Sequence, residues 1–222
     1  MGAALLTLHN QDGARTLQFR PRRLVIAGYT ARDRENVQRH IDELAELGIA
    51  PPDTVPAFWE LPLDLLTQDS AIAVTSNESS GEVEPVLMNI AGEWYIGLGS
   101  DHTARDVERD SIRESKASCG KPLGTEIVPL DTVREQWDSL QLRSYADDIR
   151  YQDSPVSEML PLDDILDAFR ASGDGDTDGL VMFLGTVPLI GGRFRYSASF
   201  RGELANAGGT LLTCNYTIER KD

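Results

Sequence analysis

Histidine and cysteine are scarce in this 222-residue chain, which holds three of the first and two of the second. Cys119 and Cys214 show no CxxC spacing and are too few for a disulfide framework, so both read as buried or neutral thiols rather than nucleophiles. His9, His40 and His102 are not spaced as ligands on one helix face, which argues against a histidine-based zinc site. Basic residues are in deficit as well. The chain has 21 Lys plus Arg against 36 Asp plus Glu, a formal net charge of −15, and that sign argues against nucleic acid as a partner. No apolar run approaches the roughly 18 residues of a membrane span, and the opening MGAALLTLHNQDG lacks the basic start and long apolar stretch of a secretion signal. The expectation is a cytoplasmic protein that meets neither membrane nor nucleic acid.

What is present is ordinary globular material, with 41% hydrophobic and 26% charged residues. Extended runs at 3–9 and 16–20 flank the turn signal Asn10, Gln11, Asp12, Gly13 and predict an N-terminal hairpin, followed by an apolar run at 23–27. From Thr30 the period changes. Val37, Ile41, Leu44 and Leu47 mark one helix face, with Thr30 as N-cap and Gly48 as C-cap; His40, beside that face, reads as a surface or half-buried histidine. Short strands are predicted at 72–75, 83–90, 93–98, 179–184, 193–200 and 211–218, and Ala91-Gly92 suggests a hairpin between the second and third. Helices are predicted at 104–116, 130–140 and 161–171, the last with a solvated acidic stripe.

Two acidic constellations stand out. Asp174, Asp176, Asp178 and Gly179 match the opening of a calcium loop, but Gly185 occupies the position that needs a bidentate Glu, so the segment reads as a polar turn. Glu82 and Glu84 are two apart and share one face of a strand, and the hairpin through Trp94 and Tyr95 would return Asp101 beside them. Three gathered carboxylates repel one another unless a cation neutralises them, and an all-oxygen set selects Mg²⁺ or Mn²⁺. The bland alternative is an exposed acidic edge.

The surroundings decide between these. GEVEPVLMN (81–89), GLGSDHTARDVE (97–108), Lys116 before the turn at 119–124, and FLGTVPL (183–189) together resemble the core of the fumarylacetoacetate hydrolase superfamily, in order and spacing, over roughly residues 24–220. D-x-T-A-R-D is the specific part of this likeness; E-x-E alone would be weak. The resemblance implies a β-rich α+β fold, a mixed β-roll core with a small N-terminal lobe, here residues 1–70 before a metal-binding core at 71–222. It also implies a homodimer acting on a 2-oxo or 1,3-dioxo acid. Glu82, Glu84 and Asp101 become the ligands of Mg²⁺ or Mn²⁺, Lys116 a cation near the substrate carboxylate or enolate, and Thr186 a contact to it. Arg105 and Asp106 become structural support. The ion would chelate two adjacent oxygens and stabilise the enolate formed when a neighbouring bond breaks.

Departures from the family pattern bear on the reaction. Aligned at Tyr29, Arg32 takes the place of a water-activating His and Glu35 the place of its Glu partner. A guanidinium stays protonated and cannot act as a base. Either Glu35 works alone, or His102 substitutes, or no external base is needed because the step is a decarboxylation. Arg32, with Tyr29 and His102, could instead contact a substrate carboxylate, which would favour a diacid; alternatively it merely begins a surface helix. Thr186-Val187-Pro188 also replaces the usual Thr-Pro-Gly type of turn. The expectation is a metal-dependent C–C hydrolase or decarboxylase. Its rivals are a hydratase or dehydratase of a sugar-derived 2-oxo acid, and a non-catalytic binding or scaffold member of the same fold.

Overall fold

The computed structural model describes residues 4–10, 13–46, 48, 50–173 and 176–221 and gathers most of its strands in two large sheets. The first has eight strands, in the order Gly13–Phe19, Ala4–Asn10, Glu126–Pro129, Glu93–Ser100, Val83–Ile90, Leu180–Phe183, Arg23–Gly28 and Ala57–Leu61. The second has five, in the order Ile149–Pro155, Gln141–Ala146, Ser199–Asn206, Gly209–Arg220 and Ala71–Val74. Parallel pairs such as Leu180–Phe183 with Arg23–Gly28 sit beside antiparallel hairpins. The mixed, β-rich architecture is the expected one, and strands from residues 4–61 build the same sheet as those from 83–183.

Alternation along the strands decides what meets what. Val25 and Ala27 point to one face of the large sheet and pack with Leu142, Leu204 and Leu212 of the smaller sheet. Leu24 and Ile26 point to the other and pack with Val86, Met88 and Phe183. Both faces are buried, which is why Leu24 to Ala27 is continuously apolar rather than alternating. No helix among the described residues is long and apolar enough to cross a membrane.

Several boundaries differ from the sequence reading. The first helix is Arg34–Glu46, starting four residues after Thr30, because the Asp33 carboxylate accepts the Glu35 and Asn36 N–H groups at 3.1 Å and caps it. Thr30 is buried instead. Gly48 at φ +89 follows the helix as expected; Leu47 and the side chains of His40 and Leu44 lie outside the described residues, as do Gln11, Asp12 and Asp174. The helix expected at 104–116 is two, Arg105–Glu108 and Ile112–Ala117, since Ser111 is extended and its side chain accepts Glu114 N–H to start a new helix. The helix expected at 130–140 reduces to a turn at Asp131–Arg134 and a 3-10 turn at Trp137–Ser139. Residues 193–198 are loop rather than strand, and the strand begins at Ser199.

Candidate functional site

The hairpin Val83–Ile90 with Glu93–Ser100 builds the centre of the site. Ala91 and Gly92 both adopt positive φ, 55° and 88°, which closes the turn tightly and sets a register that pairs Val83 with Ser100. One step beyond that pair, Asp101 N–H donates to the Glu82 carbonyl at 3.1 Å, so the two ends of the hairpin bring Asp101 beside Glu82 and Glu84. The neighbouring strand Leu180–Phe183 then delivers residues 184–187 to the same place. Leu184 N–H donates to Pro85 O at 3.1 Å, Gly185 N–H to Glu84 Oε2 at 2.9 Å, and Thr186 Oγ1 to Val83 O at 2.6 Å.

A chain of buried polar contacts fixes this arrangement from the second sheet. Gln152, wholly buried, accepts Val83 N–H at 3.0 Å and the Ser144 hydroxyl at 2.7 Å, and its amide donates to Thr186 Oγ1 and Val187 O, each at 2.7 Å. Every polar atom of Gln152 thus has a partner, and the amide ties the turn at Thr186 to the Glu84 strand.

The electrostatics are those of crowded carboxylates among buried cations. Glu84 is buried; desolvation pushes its pKa well above the ordinary carboxylate range, the charge of Asp101 adds to this, and Lys116 and the Gly185 N–H oppose it. For Asp101, burial would raise the pKa, but the charges of Lys116 and Lys121 more than reverse it and keep the group ionised. Lys116 Nζ donates to Asp101 Oδ2, and Lys121 Nζ stands 3.0 Å from Oδ1 while donating to the His102 carbonyl at 2.6 Å. Glu82 pairs with Arg105 at 3.0 Å, which also reaches Glu108 at 3.0 Å and Ser80 Oγ at 2.8 Å.

A cavity of about 790 Å³ opens over this cluster, lined by Glu82, Glu84, Lys116, Thr186, Tyr29 and Trp59 among others. The Lys116 ammonium lies 5.7 Å from the Trp59 ring, and the Tyr29 and Trp59 rings are 6.1 Å apart. Gly28 has to be glycine here, since a Cβ would lie 2.3 Å from the Trp59 ring.

Of the residues singled out in the sequence, Glu82, Glu84, Lys116, Thr186 and Tyr29 line the cavity, and Asp101 lies directly behind Lys116. Arg32, Glu35 and His102 are not among the described lining residues. Arg32 grips Asp138 with two bonds of 3.0 and 2.7 Å and donates through Nε to Met159 O at 2.9 Å. Glu35 is exposed on the first helical turn. His102 is buried with Nδ1 2.9 Å from the Tyr216 hydroxyl; burial and the nearby Lys121 and Arg105 charges lower its pKa to about 3, so the ring is neutral. Lys121, Gln152, Trp59 and Phe194 were not legible as site residues. Lys121, five residues after Lys116, read as part of a turn.

The three carboxylates fit a hard divalent cation in chemistry, because all donors are oxygen. Glu84 carries the test: a fully buried carboxyl whose main neighbours in charge are Asp101 and Lys116 is a group that a cation would stabilise as carboxylate. Among the described residues no group of three His, Cys, Asp or Glu side chains is arranged to hold an ion as it stands; Asp101 is paired with Lys116 and Lys121 and Glu82 with Arg105, and an ion would have to replace these partners.

Comparison with known proteins agrees with the fold. Fumarylpyruvate hydrolase from Pseudomonas aeruginosa, solved in complex with Mn²⁺ and pyruvate, superposes with a TM-score of 0.67 at 17% identity, covering 100% of this chain and 97% of that one. The yeast protein ynq8, a fumarylacetoacetate hydrolase family protein, gives 0.58 at 16% identity, covering 90% and 94%. No curated protein matches the sequence. The model for "Protein of unknown function (DUF2848)" matches residues 27–216, so the chain belongs to that family, and it does so on a fumarylacetoacetate hydrolase fold.

Proposed function

We propose that the chain is a divalent-metal-dependent enzyme that acts on a small 2-oxo or 1,3-dioxo acid through an enolate. The observation that carries this reading is the buried Glu84, crowded by Asp101 and Glu82 at the floor of a cavity that also presents the Lys116 ammonium. Glu82, Glu84 and Asp101 would hold Mg²⁺ or Mn²⁺, which supplies electrophilic stabilisation to two adjacent substrate oxygens. Lys116 sets a fixed positive charge beside the acid's carboxylate and enolate oxygen. The Gln152 bonds hold Thr186 and Gly185 against the Glu84 strand, so that the carboxylate keeps one orientation. Tyr29 and Trp59 add aromatic surface to the cavity lining.

Arg32 and Glu35, which align with the water-activating pair of hydrolytic members of the superfamily, stand outside the described lining. Hydrolysis would therefore draw its base from the other lining carboxylates, Asp33, Glu108 or Glu158, whereas decarboxylation would need none. A homodimer goes with this reading and is checked by the mass in solution.

The test is thermal unfolding with Mn²⁺ and oxalate, whose adjacent oxygens mimic an enolpyruvate. A ligand at 100 times its Kd adds about 2.7 kcal/mol, roughly 5 to 11 °C for a chain of this size. The expected result is a joint shift that disappears in Glu84→Gln. No joint shift in the wild type would leave the non-catalytic scaffold as the better reading.

A further inference from the structure

The cavity is far larger than a three-carbon acid fills. At about 790 Å³ it falls in the range of roughly 300–1,000 Å³ that accommodates drug-sized ligands. We infer that its substrate is a monocarboxylic 2-oxo acid carrying an uncharged, aromatic-sized arm, rather than a dicarboxylate. This deepens the proposed function and rests on it.

Charge is the first argument. The described lining has six carboxyl groups and three cations, and a divalent ion still leaves the carboxyl groups in excess by one, so a second carboxylate gains no net attraction there. Each of those cations is also matched already: Arg105 with Glu82 and Glu108, Arg109 with Glu78 at 2.7 Å, and Lys116 with Asp101. With Asp101 and Glu82 turned to the ion, Lys116 would serve the carboxylate beside the 2-oxo group, while Arg105 keeps Glu108 and Arg109 keeps Glu78, so neither arginine is left over for another. Arg32, the residue that could have served a diacid, has its guanidinium fork on Asp138. Separating a matched cation from its partner to bind a distal carboxylate costs the existing pair, so a diacid gains little.

The second argument is the aromatic part of the lining. Trp59 and Tyr29 line the cavity, and the loop at 193–197 adds Phe194 and Tyr196 to it. Phe194 and Tyr196 are 42% and 44% exposed, among the few large hydrophobic residues left so open among the described residues. They are not stray surface residues, because Arg105 stacks its guanidinium 4.0 Å from the Phe194 centroid and so holds that ring at the cavity edge. An aromatic ring fixed at the edge of a cavity that other aromatic rings also line, and still wet, offers apolar surface that a flat hydrophobic arm would cover.

Calorimetric titration of the Mn²⁺-loaded protein with pyruvate, phenylpyruvate and 2-oxoglutarate tests this directly, with oxalate as the reference. We expect phenylpyruvate to bind about tenfold or more tightly than pyruvate, equivalent to about 1.4 kcal/mol, and 2-oxoglutarate no more tightly than pyruvate. Phe194→Ala and, separately, Tyr196→Ala should cut the phenylpyruvate-over-pyruvate ratio to about threefold or less, and both residues are exposed enough for the variants to fold. If 2-oxoglutarate binds best, or if the three acids bind equally while oxalate still binds, the arm assignment is overturned and the metal-dependent reading stands. If oxalate and all three acids fail to bind, both fall together.

Discussion

Lys121 is wholly buried, and its ammonium stands 3.0 Å from Asp101 Oδ1 on the side away from Lys116. Burial and the neighbouring Lys116 charge pull its pKa below the ordinary lysine value, and Asp101 opposes them, so the carboxylate is what favours the charged form here. Lys121→Met should therefore cost the metal-free protein about 3 kcal/mol or more, through the lost counter-charge and an unsatisfied His102 carbonyl. The same variant should bind Mn²⁺ more tightly, because Asp101 then has one competing cation instead of two. Urea unfolding in a chelator and a calorimetric Mn²⁺ titration read the two effects. Unchanged stability would show that the ammonium contributes nothing beneath Asp101.

Gly185 does two jobs that no other residue can combine. Its backbone is at φ +93°, and a Cβ there would lie 1.9 Å from Thr30 Oγ1, while its N–H holds Glu84 Oε2. Gly185→Ala should destabilise the fold by about 2 kcal/mol or more, from backbone strain and overlap together. It should also shrink the thermal shift caused by Mn²⁺ and oxalate, because relieving the overlap with Thr30 displaces the backbone N–H that orients Glu84. A variant as stable as the wild type would contradict the close approach of Thr30.

The hairpin and its acidic pair were readable because two regularities agree there. Strand period 2 puts Glu82 and Glu84 on one side, and the Ala91-Gly92 turn fixes a register that brings back Asp101. The strands at 141–155 escaped notice for a physical reason: their inward positions include Ser144 and Gln152, which look like solvent-facing residues until the hydrogen bonds that bury them are known. The partner of Arg32 was unreadable for a similar reason, since Asp138 lies 106 residues further along the chain and no local pattern announces the pair. Residues 193–198 alternate like a strand, yet Phe194 and Tyr196 turn toward the cavity as loop. Burial of charge, the feature that most defines the site, is a property of the assembled sheets and is invisible along the sequence.

Cys119 and Cys214 are both 2% exposed, and burial raises their thiol pKa values to about 11 and about 12. Below those values the thiol form dominates, and the thiolate is the reactive species. A maleimide or disulfide reagent at pH 8 should leave the native protein unlabelled and modify both residues once urea unfolds it. Rapid labelling of either cysteine in the native state would refute its burial.

Arg32 and Asp138 form a two-bond pair on a partly exposed surface, with side chains 39% and 58% accessible. Solvent screening limits such a pair to about 0.5–1 kcal/mol, so Arg32→Ala should lose no more than that at pH 7 and should leave binding of Mn²⁺ with oxalate unchanged. The pH dependence has a definite sign. The bond from Arg32 holds the Asp138 carboxyl below its ordinary value, so the pair's contribution is fully present above the usual carboxylate pKa of about 3.9 and fades as the pH falls through the depressed one. The stability gap between wild type and Arg32→Ala should accordingly narrow on going from pH 7 to pH 3. It should not vanish, because the Nε bond to the Met159 carbonyl does not titrate. Urea midpoints at the two pH values measure the gap, and a gap that widens in acid would mean that Asp138 is not the partner that matters.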